Sequence, residues 1–198
     1  MHENSGLLFC KYVMPMITEG MKILEIGPDG FPSSYRSLVK IDNIIWDTLD
    51  IYESKNLTYS KSDFYHFDIP DNHYDMVFSA QVIEHVSEIW NWLPELARVT
   101  KKSGFVVTIN PVSWPYHQAP IDCWRIYPEG MKALCKHADL TIQLSKFESL
   151  ENTHFKRSIP GRSAKWQPKV LNLFFNIVGR IGFPVEKSFD TITIAVKK

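Results

Sequence analysis

The sequence predicts an α/β fold in which a mostly parallel sheet carries helices on both faces. Strand-like apolar runs alternate with helix-like segments over residues 22–110, which is the pattern of such a sheet. The 44% hydrophobic and 22% charged content is that of a globular chain and excludes a disordered, collagen-like or coiled-coil protein. A chain of 198 residues can bury a full core, and we expect a single domain over residues 1–198.

Seven segments have the character of strands. In chain order they are Lys22–Ile26, Ile44–Asp50, Leu57–Ser62, Tyr74–Ala80, Gly104–Asn110, Leu140–Lys146 and Thr191–Lys197. Four of the first five are short, mostly apolar runs, of which Tyr74–Ala80 is a clear example, whereas Leu57–Ser62 is more polar. The last two alternate between apolar and polar residues, and we expect them to close the sheet as an antiparallel pair.

Helices are predicted between the strands. They cover Ser33–Lys40, Pro128–His137 and an N-terminal helical cap over residues 1–20. Val82–Val99 also has apolar residues at helical spacing, but Pro94 interrupts the run. Either Pro94 kinks one helix, or Asn91 caps a second helix with Pro94 in its first turn.

Residues 151–189 differ from the rest and are interpreted as an insertion before the last strand. The segment contains seven Lys or Arg residues and has no acid from Asn152 to Val185. Basic residues beside aromatic ones suit a nucleotide-linked or lipid-linked phosphate, or contact with an anionic membrane surface. The alternative is a solvated basic turn followed by a core helix or a helix of a homodimer.

Charge and cysteine usage narrow the partners and the compartment. Lys plus Arg and Asp plus Glu each number 22, so the formal charge is zero and we expect no nucleic-acid partner. Cys10, Cys123 and Cys135 are scattered and form no CxxC pair, which indicates reduced thiols and no zinc ribbon. The first 20 residues do not resemble a signal peptide, and no apolar run is long enough to span a membrane, so we expect a cytoplasmic protein.

Ligand-binding residue types follow successive predicted strands. Gly27 comes directly after the first strand and lets the backbone turn close to a ligand. Asp50 ends the second strand, 23 residues after Gly27, where an acid typically accepts the hydroxyl protons of a ribose. Asp63 and Phe64 follow the third strand and suit the amine and the ring of an adenine. These positions predict a nucleoside-containing cofactor, although the glycines do not form GxGxxG.

Three stretches of this region carry a family pattern. They are LEIGPDG at 24–30, LDI at 49–51 and SDFYHFDIPDNHYDMVFSAQVIEHV at 62–86, of which the last is the most specific. They resemble a class I S-adenosylmethionine-dependent methyltransferase, close to the group called methyltransferase type 11. The resemblance covers about half of the chain well. It implies a Rossmann-like, seven-stranded sheet with an antiparallel last strand, and S-adenosylmethionine as the cofactor, converted to S-adenosylhomocysteine.

The resemblance also implies which residues hold the cofactor. Glu25, Gly27 and the backbone that follows would face the methionine part. Asp50 would bind the ribose, and Asp63 with Phe64 the adenine. The full set expected at the cofactor is Glu25, Gly27, Pro28, Asp29, Gly30, Asp50, Ile51, Asp63, Phe64, Ala80 and Gln81.

Other protein classes remain as alternatives. Asp29 and Phe31 stand where the family often has glycines, which would suit a non-catalytic binding module that keeps the fold. A nicotinamide-dependent oxidoreductase would share the ribose acid, but the missing third glycine and the 62–86 stretch disfavour it. A nucleic-acid methyltransferase is disfavoured by the zero net charge and by the lack of an Asn/Asp-Pro-Pro-Tyr-like motif.

The loop 110–125, NPVSWPYHQAPIDCWR, is predicted to bind the acceptor. Aromatic faces stack on a sugar ring, while Asp and Arg bind hydroxyls or anionic groups. The expected substrate-binding residues are Trp114, Tyr116, Asp122, Trp124 and Arg125. The string from His117 to Arg125 resembles loops of methyltransferases associated with surface-polysaccharide and other glycan pathways. Alternatively, the loop is simply well packed and the Asp122–Arg125 pair is structural.

The predicted chemistry is methyl transfer to a small molecule or a saccharide, at oxygen rather than nitrogen. A hydroxyl acceptor benefits from a general base. His117 is the first choice for that base and His85 the second, although His85 could equally be a structural residue bonded to a loop carbonyl. No metal site is predicted, because the histidines show no recognisable ligand spacing.

Overall fold

The strands of the computed structural model form a single six-stranded sheet within its described residues. The model describes residues 3–60, 63–118, 120–151, 173–174, 177–178, 181 and 188–198. The strands are β1 (Lys22–Ile26), β2 (Ile45–Leu49), β3 (Tyr74–Ala80), β4 (Thr100–Pro111), β5 (Leu140–Glu148) and β6 (Asp190–Lys197). The predicted strands at these positions are therefore confirmed to within a few residues, except that β4 begins four residues before its prediction.

The strands lie in the order β2-β1-β3-β4-β6-β5. β1 pairs in parallel with β2 and β3, and β3 pairs in parallel with β4. β6 is antiparallel to both of its neighbours, as predicted for the last strand. The chain passes from β2 across β1 to β3, so the sheet has its topological switch point at the carboxyl ends of β1 and β3. Ligands of open α/β sheets bind at such a point.

The predicted third strand, Leu57–Ser62, is wrong for its described part, and the seven-strand count is one too high there. Leu49 and Tyr59 form only an isolated parallel bridge. Beyond that bridge, the backbone N–H groups of Thr48 and Thr58 donate to each other's hydroxyl oxygens, at 3.1 and 3.3 Å. Because side chains accept these bonds, the backbone ladder does not extend into a strand. Lys61 and Ser62 lie outside the described residues.

Helices cover both faces of the sheet. They are α1 (Glu3–Leu8), α2 (Ser34–Leu38), α3 (Ile89–Val99) and α4 (Pro128–His137), with a π-helical turn at Phe9–Val13 and 3₁₀ turns at Met14–Met16 and Ile83–His85. On one face, α3 and α4 pack against the sheet through buried residues such as Trp92 and Met131. The other face packs the N-terminal segment and α2, where the rings of Phe9, Tyr35 and Phe78 meet with centroids 4.8–5.1 Å apart.

Neither alternative for the Val82–Val99 run is correct. The run is broken after the 3₁₀ turn, and α3 begins at Ile89. Asn91 does not cap this helix, because the backbone N–H groups of Asn91 and Trp92 already donate to the Glu88 carbonyl. Pro94 lies inside α3, more than one turn from its start.

The predicted insertion, residues 151–189, falls almost entirely outside the described residues, as do most of its basic and aromatic side chains. Its interpretation as an insertion and the single-domain assignment therefore remain predictions. Within the described part of the chain, no helix has both the length and the apolar character needed to cross a membrane.

Candidate functional site

A cavity of about 210 Å³ opens at the carboxyl ends of β1, β2 and β3, and we call it the strand-end cavity. Its lining is Ile26, Gly27, Leu49, Asp50, Ile51, Tyr52, Asp63, Phe64, Phe67, Gln81, Val82, His85, Trp92 and Pro120. Six residues predicted to bind the cofactor meet here, namely Gly27, Asp50, Ile51, Asp63, Phe64 and Gln81. Folding thus brings together predicted residues that are up to 54 positions apart in the sequence.

Gly27 forms the turn at the end of β1. Its φ is +70°, a conformation that side-chain-bearing residues rarely adopt. Its N–H donates to the Leu49 carbonyl at 2.9 Å, which ties the turn to β2. A Cβ at this position would overlap the Cγ2 methyl of Val82. Glycine is therefore required both by the backbone conformation and by the close approach of the segment after β3.

Asp50 is half-buried and held by the backbone that follows it. Its Oδ1 accepts the N–H of Ile51 at 2.7 Å and that of Tyr52 at 3.4 Å. Burial raises the pKa of Asp50 above its ordinary value, and these backbone N–H groups oppose the rise. Its Oδ2 accepts no hydrogen bond from the described residues, which leaves one carboxylate oxygen available to a ligand in the cavity.

Asp63 repeats this arrangement on the other side of the cavity. Its Oδ1 accepts the N–H groups of Tyr65 and His66, at 2.7 and 3.0 Å. The neighbouring Phe64 ring is partly buried and packs against the core. The turn therefore fixes an acid and an apolar ring side by side, which is the combination that an aromatic base with an exocyclic amine requires.

Glu25 and Asp29 lie outside the cavity lining and have partners within the fold. Glu25 is only 1% exposed, and its Oε2 accepts from Ser33 Oγ at 2.5 Å and from Trp46 Nε1 at 2.7 Å. Burial raises the pKa of Glu25, and these two donors oppose the rise. Asp29 accepts from the backbone N–H and the hydroxyl of Ser34, in the first turn of α2. Both acids thus hold the turn after β1, and direct cofactor contact by them remains a prediction.

Pro28, Gly30 and Ala80, also predicted at the cofactor, lie outside the lining. Conversely, the predicted site residues did not include seven residues of the lining, namely Ile26, Leu49, Tyr52, Phe67, Val82, Trp92 and Pro120. Phe67 and Trp92 are each 1% exposed, so their pattern is that of ordinary core residues. A signal was available for several of the others, because Ile26, Leu49 and Val82 lie within the stretches that carry the family pattern and Tyr52 follows the LDI stretch directly.

Gln81 links the cavity to the far end of the sheet. It has a positive φ of 59°, and its N–H donates to the Ile109 carbonyl of β4. Its Nε2 donates to Asp190 Oδ1 at 3.1 Å, and Asn4 of α1 donates to the other oxygen of that carboxylate. The side-chain position of Gln81 is therefore set by β6 and by the N-terminal helix.

The β4–α4 loop, residues 112–127, is fastened to the segment Glu84–Val86 by three hydrogen bonds. His85 Nδ1 bonds the Ile121 carbonyl at 2.5 Å, and the Cys123 N–H donates to the Glu84 carbonyl at 2.7 Å. Trp124 Nε1 donates to the Val86 carbonyl at 2.8 Å. The loop that was predicted to hold the acceptor therefore lies against the segment that follows β3, beside the strand-end cavity.

Asp122 and Arg125 bind each other and the loop backbone. The guanidinium of Arg125 donates to both carboxylate oxygens of Asp122. Its remaining N–H groups donate to the carbonyls of Trp114, Pro115 and Trp124, so that all five donors are used. This pairing lowers the pKa of Asp122 to about 2. The contacts fit the structural alternative for this pair, and a substrate role for either residue remains a prediction.

The three predicted aromatic substrate residues differ in exposure. Trp124 is partly buried, packs against the core and meets the Trp90 ring edge-on. Trp114 is partly buried, whereas Tyr116 is 72% exposed. Tyr116 is therefore the aromatic side chain of this loop with the most surface for stacking on a further ring.

Three side chains converge where the loop meets the 3₁₀ turn, namely Glu84, His85 and His117. Glu84 was not among the predicted site residues. One ligand atom from each lies within 4.8 Å of the others. The two imidazole rings have centroids 5.0 Å apart and are nearly perpendicular. Glu84 is fully buried, and burial raises the pKa of its carboxyl to about 8. Both predicted candidates for the general base are thus in one cluster, although they are 32 positions apart in the sequence.

Sequence comparison supports the fold assignment. A family described as a methyltransferase domain matches residues 46–108, which include β3, α3 and most of β2 and β4. No curated protein sequence matches the chain.

Solved structures resemble nearly the whole chain. An S-adenosylmethionine-dependent methyltransferase from Archaeoglobus fulgidus aligns with a TM-score of 0.64 at 19% identity, over 98% of this chain and 93% of that one. A putative sarcosine dimethylglycine methyltransferase from Galdieria sulphuraria aligns with a TM-score of 0.63 at 16% identity, over 98% and 85%. Phosphoethanolamine N-methyltransferase 2 from Haemonchus contortus, in complex with S-adenosylmethionine, aligns with a TM-score of 0.59 at 14% identity, over 98% and 52%.

These findings confirm the resemblance named from the sequence. The fold is the Rossmann-like fold of class I S-adenosylmethionine-dependent methyltransferases. At such low identities the structural likeness defines the fold alone, so the reaction has to be argued from the site.

Proposed function

We propose that this chain is an S-adenosylmethionine-dependent methyltransferase that acts on a hydroxyl group of a small molecule or saccharide. One observation carries the proposal. In the strand-end cavity, the Gly27 turn and two carboxylates, each with one oxygen fixed by backbone N–H groups, surround one space at the switch point of a methyltransferase fold.

The residues of the cavity suit the parts of this cofactor. The second oxygen of Asp50 suits the hydroxyls of a ribose, and Asp63 beside Phe64 suits an adenine. The turn at Gly27 brings backbone rather than a side chain to the cavity wall. Asp29 bonds to Ser34 of α2, so one of the two residues that motivated the non-catalytic alternative has a partner within the fold.

The histidines suit proton removal from an acceptor hydroxyl. When bound, S-adenosylmethionine supplies a methyl group on a positively charged sulfur, which an acceptor oxygen takes up as it loses its proton. Carbonyl oxygens only accept, so His85 holds its proton on Nδ1 toward Ile121, and its Nε2 carries a lone pair. His117 has the same arrangement toward the Pro115 carbonyl. Either Nε2 can accept a hydroxyl proton.

A polyhydroxylated acceptor is the class that the loop suits best. Tyr116 offers an exposed ring for stacking, and the nearby imidazoles offer proton acceptors for hydroxyls. The acceptor belongs, on this proposal, to a glycan or surface-polysaccharide pathway.

Calorimetric titration with S-adenosylmethionine, S-adenosylhomocysteine and NAD tests the proposal. We expect micromolar binding of the first two ligands and none of NAD. Asp63→Asn should weaken binding at least about threefold, whereas Asp68→Asn, an exposed aspartate outside the cavity lining, is a matched control that should leave it unchanged. Formation of S-adenosylhomocysteine with sugars and nucleotide sugars then identifies the acceptor.

No binding of either sulfur ligand, with or without an added acceptor, would contradict the proposal and favour the non-catalytic module. Binding of NAD in their place would favour the oxidoreductase alternative.

A further inference from the structure

We infer that Glu84, His85 and His117 form a binding site for one divalent transition-metal ion. These residues supply two imidazole nitrogens and one carboxylate, whose ligand atoms lie within 4.8 Å of one another. Two histidines with one carboxylate make a common three-ligand set for Zn²⁺ and other first-row divalent ions, and they leave coordination positions open for further ligands.

Both imidazoles are oriented as metal ligands usually are. A ligating histidine generally donates its other ring N–H to a backbone carbonyl or a carboxylate, which fixes the tautomer. His85 Nδ1 donates to the Ile121 carbonyl at 2.5 Å. His117 Nδ1 lies 3.2 Å from the Pro115 carbonyl and 3.4 Å from Asp122 Oδ2. In its neutral form, each ring therefore carries a lone pair on Nε2.

The carboxyl group of Glu84 gives an independent reason for a cation. Its side chain is 1% exposed, and neither of its oxygens has a hydrogen-bond partner in the described part of the chain. A buried carboxyl without a partner is costly, and a bound cation would satisfy both oxygens. Glu84 Oε1 lies 3.7 Å from His85 Nε2, close to the separation of about 3.0–3.5 Å between two ligands of one ion with bonds of about 2.1 Å.

The β4–α4 loop holds this cluster together. The Cys123 N–H bonds the Glu84 carbonyl, and Asp122 accepts the backbone N–H of His117 at 2.7 Å. Because Arg125 donates to both carboxylate oxygens of Asp122, the backbone of His117 is bonded to a fixed ion pair. The loop contacts therefore act as a second layer of support for the three ligands.

The role of the ion rests on the proposed function, whereas its binding does not. A cation at an open coordination position can hold an acceptor hydroxyl oxygen and lower its pKa, so that the proton leaves to water. With the ion bound, both Nε2 lone pairs are occupied, and the histidines are ligands instead of proton acceptors. His85 also lines the strand-end cavity, which puts one ligand at the border of the proposed cofactor space.

Cobalt binding tests the site directly. The full chain, freed of metal by a chelator and of any affinity tag, is titrated with Co²⁺ while its visible absorption and heat of binding are recorded. We expect one Co²⁺ per chain, displaced by Zn²⁺ and not by equal Mg²⁺, because imidazole ligands favour transition metals over Mg²⁺. Glu84→Gln and His117→Gln should each weaken Co²⁺ binding by at least about tenfold.

His137→Gln is the matched control, since His137 is exposed at the end of α4 and should have no effect on Co²⁺ binding. Urea unfolding midpoints verify that each variant is folded. Absence of stoichiometric Co²⁺ binding, or equal binding by the Glu84→Gln and His117→Gln variants, would overturn the inference. Failure of S-adenosylmethionine binding would instead contradict the proposed function and leave this result standing.

Discussion

The strand-end cavity and the β4–α4 loop contain the same kinds of side chain and use them differently. Around the cavity, Asp50 and Asp63 each give one oxygen to neighbouring N–H groups and keep the other without a partner among the described residues. In the loop, Asp122 and Arg125 form hydrogen bonds with each other and with the backbone. An acid near a proposed active site can thus serve a ligand or the fold, and its contacts distinguish the two.

The comparison also separates rigid support from ligand contact within each region. In the turn after β1, Glu25 is bonded to Ser33 and Trp46 and lies outside the cavity lining. In the β4–α4 loop, the ion pair of Asp122 and Arg125 supports the backbone around His117. Substitutions of the support residues should therefore change stability first, whereas substitutions of the cavity residues should change ligand binding first.

The largest effect should come from Arg125→Ala. The change leaves Asp122, whose side chain is 1% exposed, without its cationic partner. Removing one partner of a buried ion pair costs about 3–5 kcal/mol, which urea unfolding would measure. Arg125→Met combined with Asp122→Leu should recover much of that loss, and Lys132→Ala, on the exposed face of α4, should have little effect. A loss under about 1 kcal/mol would show that this pair does not hold the loop.

Gly27→Ala should have the next largest effect and should change binding as well. The new methyl group would overlap Val82, and the alanine would have to adopt a positive φ. Strain in the left-handed region costs about 1–2 kcal/mol, and overpacking adds about 1–3 kcal/mol. Gly20→Ala is the matched control, because Gly20 has a φ of +80° and no atom within 4 Å of a built Cβ. Equal losses in the two variants would mean that the contact with Val82 is unimportant.

A smaller, pH-dependent effect is expected for Glu25→Gln. Burial raises the pKa of Glu25 in the folded protein above its ordinary value of 4.5, so the folded state prefers the protonated form. That contribution to stability is complete below about pH 4.5 and is lost as the pH rises through the folded pKa. Glutamine removes this loss, so the variant should gain stability relative to the wild type as the pH rises. Unfolding curves that keep a constant difference from pH 4 to 8, or an equal gain for the exposed Glu19→Gln control, would contradict this account.

The sequence could predict the sheet and the cavity because their signals are local. A strand of five to seven apolar residues determines where its carboxyl end lies, and parallel neighbours place those ends together. The positions of Asp50 and Gly27 follow from that rule alone. The edge segment Leu57–Ser62 was mispredicted because two threonine side chains take over backbone bonds, which a strand pattern does not reveal.

The contacts of the β4–α4 loop were harder to predict, because its composition does not indicate which side chains bond to which partners. Trp124 looked like a stacking surface, and its indole N–H bonds the Val86 carbonyl instead. Glu84 was read as part of a family motif, and only the fold shows that its buried carboxyl meets two histidines. Such contacts depend on the path of the loop across the sheet edge.

One calorimetric comparison tests the central distinction most directly, namely the S-adenosylmethionine affinity of Asp50→Asn against that of Asp122→Asn. We expect Asp50→Asn to lose more than about tenfold in affinity, or about 1.4 kcal/mol, because its hydrogen bonds to the ribose hydroxyls are weakened. Asp122→Asn should bind within about threefold of the wild type while losing stability. An unchanged affinity in Asp50→Asn, or an equal loss in both variants, would contradict the assignment of the cavity acids to the ligand and the loop acid to the fold.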